Sequence, residues 1–455
     1  MMLRQLVIAC ILCWFIPDAL EASSVIALRP GPHLFLDDYL IAAQSNLRRT
    51  INHPKRLPRP VVTGPEDGNF QPYVTVLRDP ETRRFRIWYG VPENAGQTHL
   101  GYMESADGIR WRRPHRVLRD PAFIQFGTSI IDEGPDFADS AKRFKYGWWA
   151  NGGLNVAASP DGLEWTALAP GVVLQANHDI TSIFRDPIRN RYVALVSSYT
   201  TGSAWAGQRR IPMESVSADL IRWRDPWRIV EPDQQDEGET QFYGMAGVIA
   251  RGDLLIGMLR VLRDEERAEG APEAAYGIGY TVLAWSRDGE HWQRDREPFL
   301  DRDRTPGTWD HAMSWGDCQL VVGDEVFLCY GGYAWGHKWE RFTQRQIGLA
   351  RMPLDRYASR NAGAERGLLR TLPLTFRASS LTVNADVEGG LQVRVLDGSG
   401  TPIRGFDWTD CRVIRGDSLA HPVHWKGDLS RLSHHPVSLE FALRNARLYG
   451  FALGR

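Results

Sequence analysis

Cysteine is scarce in this 455-residue sequence, and the few cysteines are poorly placed for cross-linking. Cys10 and Cys13 lie in an N-terminal apolar run, which leaves Cys318, Cys329 and Cys411 in the rest of the chain. An odd number without close spacing indicates neither a disulfide framework nor a zinc site. Cys318 and Cys329 flank a predicted tight turn, so a cross-strand disulfide and two buried free thiols both fit, and free thiols are favoured.

Positive charge and long apolar runs are also lacking. The formal net charge is −1, and no stripe of Lys and Arg alternates with aromatic residues, so a nucleic-acid partner is excluded. The sequence has no glycine-rich phosphate loop, no nucleophile elbow and no helix with metal-ligand spacing, so we expect no cofactor and no metal site. No apolar run is long enough to span a membrane. The sequence does not indicate an oligomeric state.

An apolar run at residues 6–16 follows a charged start and precedes Leu20-Glu-Ala22. This order is typical of a secretory signal with a small-residue cleavage site. We therefore predict a signal peptide at residues 1–22 and a secreted or periplasmic protein. A lipoprotein cleavage box at Cys10 is the weaker alternative, because the apolar stretch before this cysteine is short.

One motif is present four times. Its copies are Ser105-Ala-Asp-Gly-Ile-Arg-Trp111, Ser159-Pro-Asp-Gly-Leu-Glu-Trp165, Ser217-Ala-Asp-Leu-Ile-Arg-Trp223 and Ser286-Arg-Asp-Gly-Glu-His-Trp292. Asp-Gly is a strong turn signal, since Asp bonds to the local backbone and Gly adopts positive φ without steric cost. The Trp that follows is a large apolar anchor. Each copy therefore predicts a hairpin tip whose indole packs between neighbouring sheets.

Regular self-similarity of this kind marks a repeat architecture. Around each copy the sequence reads as four antiparallel strands, which is the pattern of β-propeller blades. The predicted fold is thus all-β, with a five-bladed β-propeller at residues 67–356, and a pair of β-sandwiches is the alternative. The blades are expected to begin near Phe70, Gly127, Asp179, Phe242 and Met313.

The regions on either side of the repeats differ in character. Residues 23–66 are predicted to be an N-terminal lead-in segment with an Arg- and Pro-rich loop at 46–66. Its apolar stretch at 33–41 is expected to lead into the propeller or to supply the strand that closes the ring. Apolar residues alternate with period two at 391–396, 437–443 and 448–453, which is the pattern of half-buried strands. A separate C-terminal β-sandwich is therefore predicted at residues 370–455.

Five four-stranded blades followed by a β-sandwich resemble the invertase, levanase and arabinanase group of glycoside hydrolases. The resemblance implies three carboxylates, an Asp, an Asp and a Glu, at the inner starts of three blades. The matching positions here are Asp67, Asp179 and Glu239. Two departures disfavour a β-fructosidase: the Trp-Met-Asn-Asp-Pro-Asn-Gly signature is absent, and the Glu-Cys pair of the group is Glu239-Thr240 here.

The resemblance also implies roles for these residues. Glu239 would be the general acid, Asp67 the base or nucleophile, and Asp179 the residue that orients the sugar. Each has a plainer interpretation as well: Asp67 as part of a turn, Asp179 as a loop cap and Glu239 as part of a solvated acidic run. The neighbouring residues expected to bind substrate are Asn69, Gln71, His178, Gln241, Trp309, Asp310 and His311.

The sequence therefore favours a secreted glycoside hydrolase that acts on a plant or algal saccharide. Two alternatives stay open. A non-catalytic carbohydrate-binding propeller would need the funnel but no paired carboxylates. A sialidase would explain the repeated motif, which is close to an Asp-box, but it would need six blades and three convergent arginines.

Overall fold

The computed structural model describes residues 25–69, 73–94, 96–179, 181–236, 238, 240–337, 339–340 and 345–454. Over these residues the chain is almost all β, as predicted, and its several sheets are consistent with a β-propeller. None of the described helices has the length and apolar character needed to cross a bilayer. The predicted signal segment, residues 1–22, lies outside the described residues.

Short elements come first in the chain. They are β1 (Ile26–Ala27), β2 (Gly31–Leu34), β3 (Ile41–Ser45), β4 (Arg48–Ile51), β5 (Lys55–Arg56) and the helix α1 (Gly64–Asp67). Thr63 caps α1, because its hydroxyl accepts a hydrogen bond from the Glu66 backbone N–H. Residues 46–66, predicted to be a loop, therefore contain two strands and a helical turn.

Five antiparallel meanders follow. The first contains β6 (Val74–Arg78), β7 (Phe85–Asn94), β8 (Gln97–Ser105) and β9 (Arg116–Val117). The second contains β10 (Phe126–Asp132), the 3₁₀ turn Ser140–Lys142, β11 (Phe144–Ala150), β12 (Gly153–Ser159), β13 (Thr166–Ala167) and β14 (Leu174–Gln175). The third contains β15 (Thr181–Asp186), β16 (Arg191–Thr200), β17 (Arg209–Ser217) and β18 (Trp227–Arg228).

The fourth meander contains the longest of these strands. The fourth contains β19 (Thr240–Arg251), β20 (Leu254–Arg267), β21 (Tyr276–Ser286) and β22 (Gln293–Arg294). The fifth contains β23 (Met313–Val322), β24 (Glu325–Tyr333) and β25 (Arg345–Pro353). The N-terminal strand β5 pairs with β25 and so becomes the outer strand of the fifth meander.

The first strands of the five meanders lie side by side around an axial cavity of about 260 Å³. β6 contacts β10, β10 contacts β15, and the contacts continue through β19 and β23 back to β6. Side-chain hydroxyls link these strands where no backbone ladder joins them. Thr75 Oγ1 donates to the Thr128 carbonyl at 3.1 Å, and Ser129 Oγ donates to the Ile183 carbonyl at 2.9 Å.

The C-terminal region has its own core. Its strands are β26 (Ala358–Ala362), β27 (Gly367–Thr371), β28 (Leu374–Thr375), β29 (Ser380–Leu396), β30 (Ile414–Pro422) and β31 (Ser438–Gly454), with 3₁₀ turns at Trp408–Asp410 and Leu429–Leu432. The three segments predicted to be strands from their alternation lie in β29 and β31, except that Val437 precedes the first residue of β31.

The N-terminal strands belong to this C-terminal region. β1 pairs with β28, β2 with β31, β3 with β27 and β4 with β26. Phe35 and Leu40 are buried in the same core as Phe441. The segment predicted to be a lead-in to the propeller therefore supplies four strands to the C-terminal region, and only β5 joins a meander.

The repeated motif forms hairpin tips, as predicted. In the first copy, Ser105 Oγ accepts hydrogen bonds from the Asp107 and Gly108 backbone amides, and Asp107 Oδ1 accepts from the Ile109 and Arg110 backbone amides. The fourth motif position has positive φ in every copy, between 68° and 76°. Leu220 adopts this conformation in the third copy, where its buried side chain packs on the second and third meanders.

The tip tryptophans pack between neighbouring meanders, which confirms the prediction. Trp111 lies in one buried cluster with residues of the fifth meander, Trp165 with residues of the first, and Trp292 with residues of the third. Trp223 is partly buried against the second meander. The Trp292 indole also donates to Glu214 Oε2 at 2.6 Å, which ties the fourth meander to the third.

The cysteines left open by the sequence are free thiols. Cys318 and Cys329 are directly opposite each other on β23 and β24, and Cys411 is buried in the C-terminal region. The Cys318 thiol contacts the backbone N–H and carbonyl of Val76. This contact links the first strands of the fifth and first meanders.

Candidate functional site

The first strands of the five meanders begin at the same end of the axial cavity, which we call the mouth. Aromatic rings are concentrated here. Tyr243 of β19 stacks on Trp315 of β23, with ring centroids 4.5 Å apart, and Tyr73 and Tyr333 complete a buried group with them. The mouth therefore has an aromatic floor.

A group of polar side chains, the mouth cluster, lies against this floor. Arg210 is at its centre: its Nε donates to His178 Nε2 at 2.9 Å, and its Nη1 donates to Gln241 Oε1 at 2.8 Å and lies 3.3 Å from Asp264 Oδ2. Gln241 Nε2 donates to the same oxygen of Asp264 at 2.6 Å. The remaining members are His337 and Asp179, which contact Asp264 and His178 respectively.

Solvent reaches the members of the mouth cluster unequally. The side chains of Asp179 and Asp264 are 24% and 30% exposed. Those of His178, Arg210 and His337 are at most 8% exposed, and Gln241 is buried. The cluster thus presents two carboxylates to the mouth, and the groups that hold Asp264 are buried behind them.

Asp264 lies at an irregularity in the pairing of β20 with β21. The pairing of β20 with β21 shifts between Arg263 and Arg267, so the residues between them leave the regular ladder. A bulge of this kind bends the strand and re-aims its side chains, and such bulges are common beside active sites. Asp264 is thereby able to meet Arg210 and Gln241, which come from β17 and β19.

The electrostatic surroundings keep Asp264 ionised. Partial burial alone would raise the pKa of Asp264, but the contact with His337, the charge of Arg210 and the hydrogen bond from Gln241 lower it to about 2. Burial lowers the pKa of His337 to about 4, against the opposing effect of Asp264. At neutral pH the site therefore holds a carboxylate beside a neutral imidazole.

His178 is also neutral. Burial, and then the charge of Arg210, lower its pKa well below the usual value. Arg210 Nε–H donates to Nε2, so that nitrogen carries no proton and the proton lies on Nδ1. Asp179 Oδ1 lies 3.2 Å from the same Nε2.

The predicted site residues are only partly brought together. His178, Asp179 and Gln241 belong to the mouth cluster. Glu239 and Gln71 lie outside the described residues. Asn69 is fully buried, and its amide donates to the Arg345 carbonyl at 3.0 Å.

Asp67 has a different setting from the mouth cluster. Its side chain is 0% exposed, and both carboxylate oxygens are 2.7 Å from nitrogens of Arg113. The second oxygen also accepts a hydrogen bond from the Thr63 backbone N–H at 2.9 Å. This is the geometry of a structural ion pair that anchors α1, so we leave Asp67 out of the proposed site.

Of the three residues predicted at the start of the fifth meander, Asp310 and His311 are buried and Trp309 is partly buried, and all three contact protein groups. Trp309 stacks on Tyr330 in the core shared by the fourth and fifth meanders. Asp310 accepts a hydrogen bond from the Tyr330 hydroxyl at 2.9 Å, and burial raises its pKa. Both ring nitrogens of His311 face backbone carbonyls, those of Asp303 and Glu269. We leave these residues out of the proposed site as well.

Three members of the mouth cluster were not foreseen from the sequence: Arg210, Asp264 and His337. They lie at mouth ends of second and third strands or just beyond them, whereas the resemblance to known glycoside hydrolases points only to the starts of first strands. The one available signal was the charged run Arg263-Asp-Glu-Glu-Arg267 directly after an apolar strand. Among the residues described, no group of three or more potential ligands is arranged to hold a metal ion.

Neither a protein-family model nor a curated protein sequence matches the chain. Solved structures do resemble it. A glycosyl hydrolase from Bacteroides ovatus is 14% identical and has a TM-score of 0.45, with 68% of this chain and 95% of that chain covered. A β-fructofuranosidase from Bombyx mori is 10% identical and has a TM-score of 0.41, with coverage of 89% and 95%.

An N-acetylgalactosamine deacetylase from F. plautii is also similar, at 16% identity and a TM-score of 0.44, with coverage of 68% and 96%. Glycoside hydrolases are thus among the solved structures that this chain resembles, in agreement with the resemblance stated from the sequence. At these identities and scores no residue role is transferred, and the site is argued from the geometry of this chain alone.

Proposed function

We propose that this chain is a carbohydrate-active enzyme, a glycoside hydrolase whose substrate enters the mouth. The observation that carries the proposal is the mouth cluster itself: two partly exposed carboxylates beside an aromatic floor, one of which, Asp264, is held by buried Arg, His and Gln side chains. Glycoside hydrolysis uses two carboxyl groups with separate roles.

In this proposal Asp264 is the ionised base or nucleophile. Its low pKa and its hydrogen bonds from Gln241 and Arg210 support that role. Asp179 is the second carboxyl group, on the opposite side of Arg210. Glu239 stays a prediction for the general acid, made from the sequence, and its test is the Glu239→Gln variant on a natural saccharide and on an activated aryl glycoside.

We also infer that the five meanders are the blades of a five-bladed β-propeller and that the C-terminal region is a β-sandwich completed by β1–β4. The closed circuit of contacts among the five first strands supports the blade count. The separate C-terminal core supports the second domain. A sialidase would need a sixth sheet in the circuit, so this alternative is not favoured.

Export and the substrate source remain proposals. We propose that the protein is secreted or periplasmic and acts on a plant or algal saccharide. The N-terminal sequence of the protein recovered from culture medium or periplasm tests the first part. A start near Ser23 is expected, and an uncleaved N-terminus on a cytoplasmic protein would contradict it.

The decisive experiment measures reducing sugar released from plant and algal polysaccharides, together with calorimetric binding of the same saccharides. Wild-type protein is expected to release sugar, and Asp264→Asn is expected to bind but not release it. A carbohydrate-binding propeller predicts binding without release by the wild-type protein as well. That outcome would replace the hydrolase by the binding alternative.

A further inference from the structure

The β20–β21 hairpin of the fourth meander extends past the start of its first strand. The first residue of β19, Thr240, pairs with Arg263 of β20. On the other side of β20, Arg263 pairs with Ile278, and Arg267 pairs with Tyr276. Two residues of β-strand span about 7 Å, so Arg267 and Tyr276 stand about that far beyond the base of the mouth.

Tyr276 is unusual among the aromatic residues of the mouth because it is 49% exposed. The guanidinium of Arg267 lies over its ring, 5.3 Å from the centroid. A cation over the face of a tyrosine is an attractive contact, and it holds the ring in one orientation. An ordered aromatic surface that remains half in water is suited to receive a ligand.

The backbone of Tyr276 is joined to the mouth cluster. The His337 backbone N–H donates to the Tyr276 carbonyl at 3.0 Å. A Cβ added to the next residue, Gly277, would lie 2.6 Å from the His337 Cβ and 3.6 Å from Asp264 Oδ1. Tyr276 therefore continues the wall that carries Asp264.

We propose that Tyr276 is the stacking platform for a sugar unit of the substrate that lies outward from Asp179 and Asp264. This inference rests on the proposed function. The platform binds the apolar C–H face of a ring in an oligo- or polysaccharide, and it favours substrates with a unit beyond the reacting linkage. A short aryl glycoside does not reach it.

The chain offers a matched control. Tyr39 is also 49% exposed, and the guanidinium of Arg287 lies over its ring at 4.7 Å. Tyr39 belongs to the loop between β2 and β3, beside the hairpin tip of the fourth meander rather than at the mouth. The two tyrosines thus share exposure and partner but differ in position.

The experiment compares Tyr276→Ala, Tyr276→Phe and Tyr39→Ala, with KM and kcat measured on a long saccharide and on an aryl glycoside of the same sugar. Saccharide binding is measured by calorimetry in the Asp264→Asn background. Tyr276→Ala is expected to raise KM and Kd for the long saccharide about tenfold, with kcat and aryl glycoside turnover unchanged. Tyr276→Phe, which keeps the ring, and Tyr39→Ala are expected to match the wild-type values.

Equal KM and Kd for Tyr276→Ala and wild type on the long saccharide would overturn the inference while the proposed hydrolase stood. Equal losses in Tyr276→Ala and Tyr39→Ala would overturn it too, because the effect would not depend on position. A wild-type protein that binds saccharide without cleaving it would refute the proposed hydrolase. The comparison of Kd values would still test whether Tyr276 is the stacking platform. A wild-type protein that neither binds nor cleaves any saccharide would refute both.

Discussion

Asp67 and Asp264 are both held by arginine, and they differ in what else reaches their carboxylates. Asp67 has both oxygens 2.7 Å from Arg113, is 0% exposed, and fixes a short helix to the edge of the first meander. Asp264 has Arg210 and Gln241 on one oxygen and is 30% exposed. Solvent does not reach the Asp67 carboxylate in its pair with Arg113, whereas Asp264 presents a charged oxygen to the mouth.

The difference shows that a carboxylate near the start of a strand does not by itself form a functional site. Ionisation can be stabilised in both settings, but only an accessible oxygen can meet a substrate. In the mouth cluster the buried partners, Arg210, Gln241 and His337, are prevented from moving by their own contacts. They fix Asp264 in the manner that preorganised sites require.

The largest expected effect comes from neutralising each carboxylate in turn. Asp264→Asn is expected to lower kcat/KM on the saccharide by about 10²–10⁴-fold, the usual contribution of a general base, or more if Asp264 is the nucleophile. Asp67→Asn is expected to lower the thermal midpoint and leave the turnover of the folded protein unchanged. Steady-state kinetics and thermal unfolding of both variants check this. A loss of turnover in Asp67→Asn but not in Asp264→Asn would mean that Asp67, and not Asp264, is the catalytic carboxylate.

The second effect concerns stability. Arg113→Met keeps the apolar stem of the side chain and leaves the Asp67 charge buried without its cation. Breaking a buried pair in this way typically costs 3–5 kcal/mol, and we expect about 3 kcal/mol because Arg113 is itself 38% exposed. Urea unfolding measures the free energy. The parallel variant Arg222→Met removes an exposed partner of Asp219 and is expected to cost less than about 1 kcal/mol.

The same comparison separates what the sequence could and could not predict. The hairpin tips were predictable because the Ser, the Asp and the residue at positive φ act within a few residues of one another. The packing of Trp165 and Trp292 was predictable as well, because burial of a large apolar indole next to a strand is favourable. Asp264 was not predictable, because its position depends on a bulge that is defined only by the pairing of β20 with β21.

Pairing between distant parts of the chain explains the other differences between the sequence prediction and the structure. Nothing in residues 26–51 indicates partners near the other end of the chain, yet β2 lies against β31 and β4 against β26. Asp67 and Asp179 look equally plausible as strand-start carboxylates. Only the distant residues Arg113 and Arg210 distinguish them. Arg113 forms an ion pair with Asp67, whereas Arg210 lies at the centre of the mouth cluster, to which Asp179 belongs.

Glu214 offers a third case, a buried carboxyl group without a close cation, since its nearest arginine, Arg191, is 3.9 Å away. Burial raises its pKa to about 8, although the Trp292 hydrogen bond and Arg191 oppose the shift. A raised pKa gives stability that is complete below the unfolded value near 4.5 and is lost as pH rises through about 8. The free energy of unfolding should therefore fall between these values by up to about 1.4 kcal/mol per pH unit.

Glu214→Gln isolates this contribution, because the amide oxygen still accepts from Trp292 but no longer titrates. Urea unfolding at pH 5.5, 6.5 and 7.5 is expected to give unfolding free energies that diverge as pH rises, with the wild type falling relative to the variant. The wild-type protein should lose about 1 kcal/mol per unit relative to the variant. Parallel curves would show that Glu214 does not take up its proton in this range.

The smallest effect probes how the mouth cluster holds Asp264. Gln241 Nε2 donates to Asp264 Oδ2 at 2.6 Å, and this bond is one of the causes that keep the pKa of Asp264 low. A hydrogen bond to a charged group contributes about 1.5–3 kcal/mol when buried, and partial exposure of Asp264 reduces this to roughly one pKa unit. Gln241→Leu should therefore move the acid limb of the kcat/KM profile upward by about one pH unit, with little change in kcat on the plateau. An unchanged acid limb with a lower plateau would mean that Gln241 contacts the substrate instead, which is the role predicted for it from the sequence.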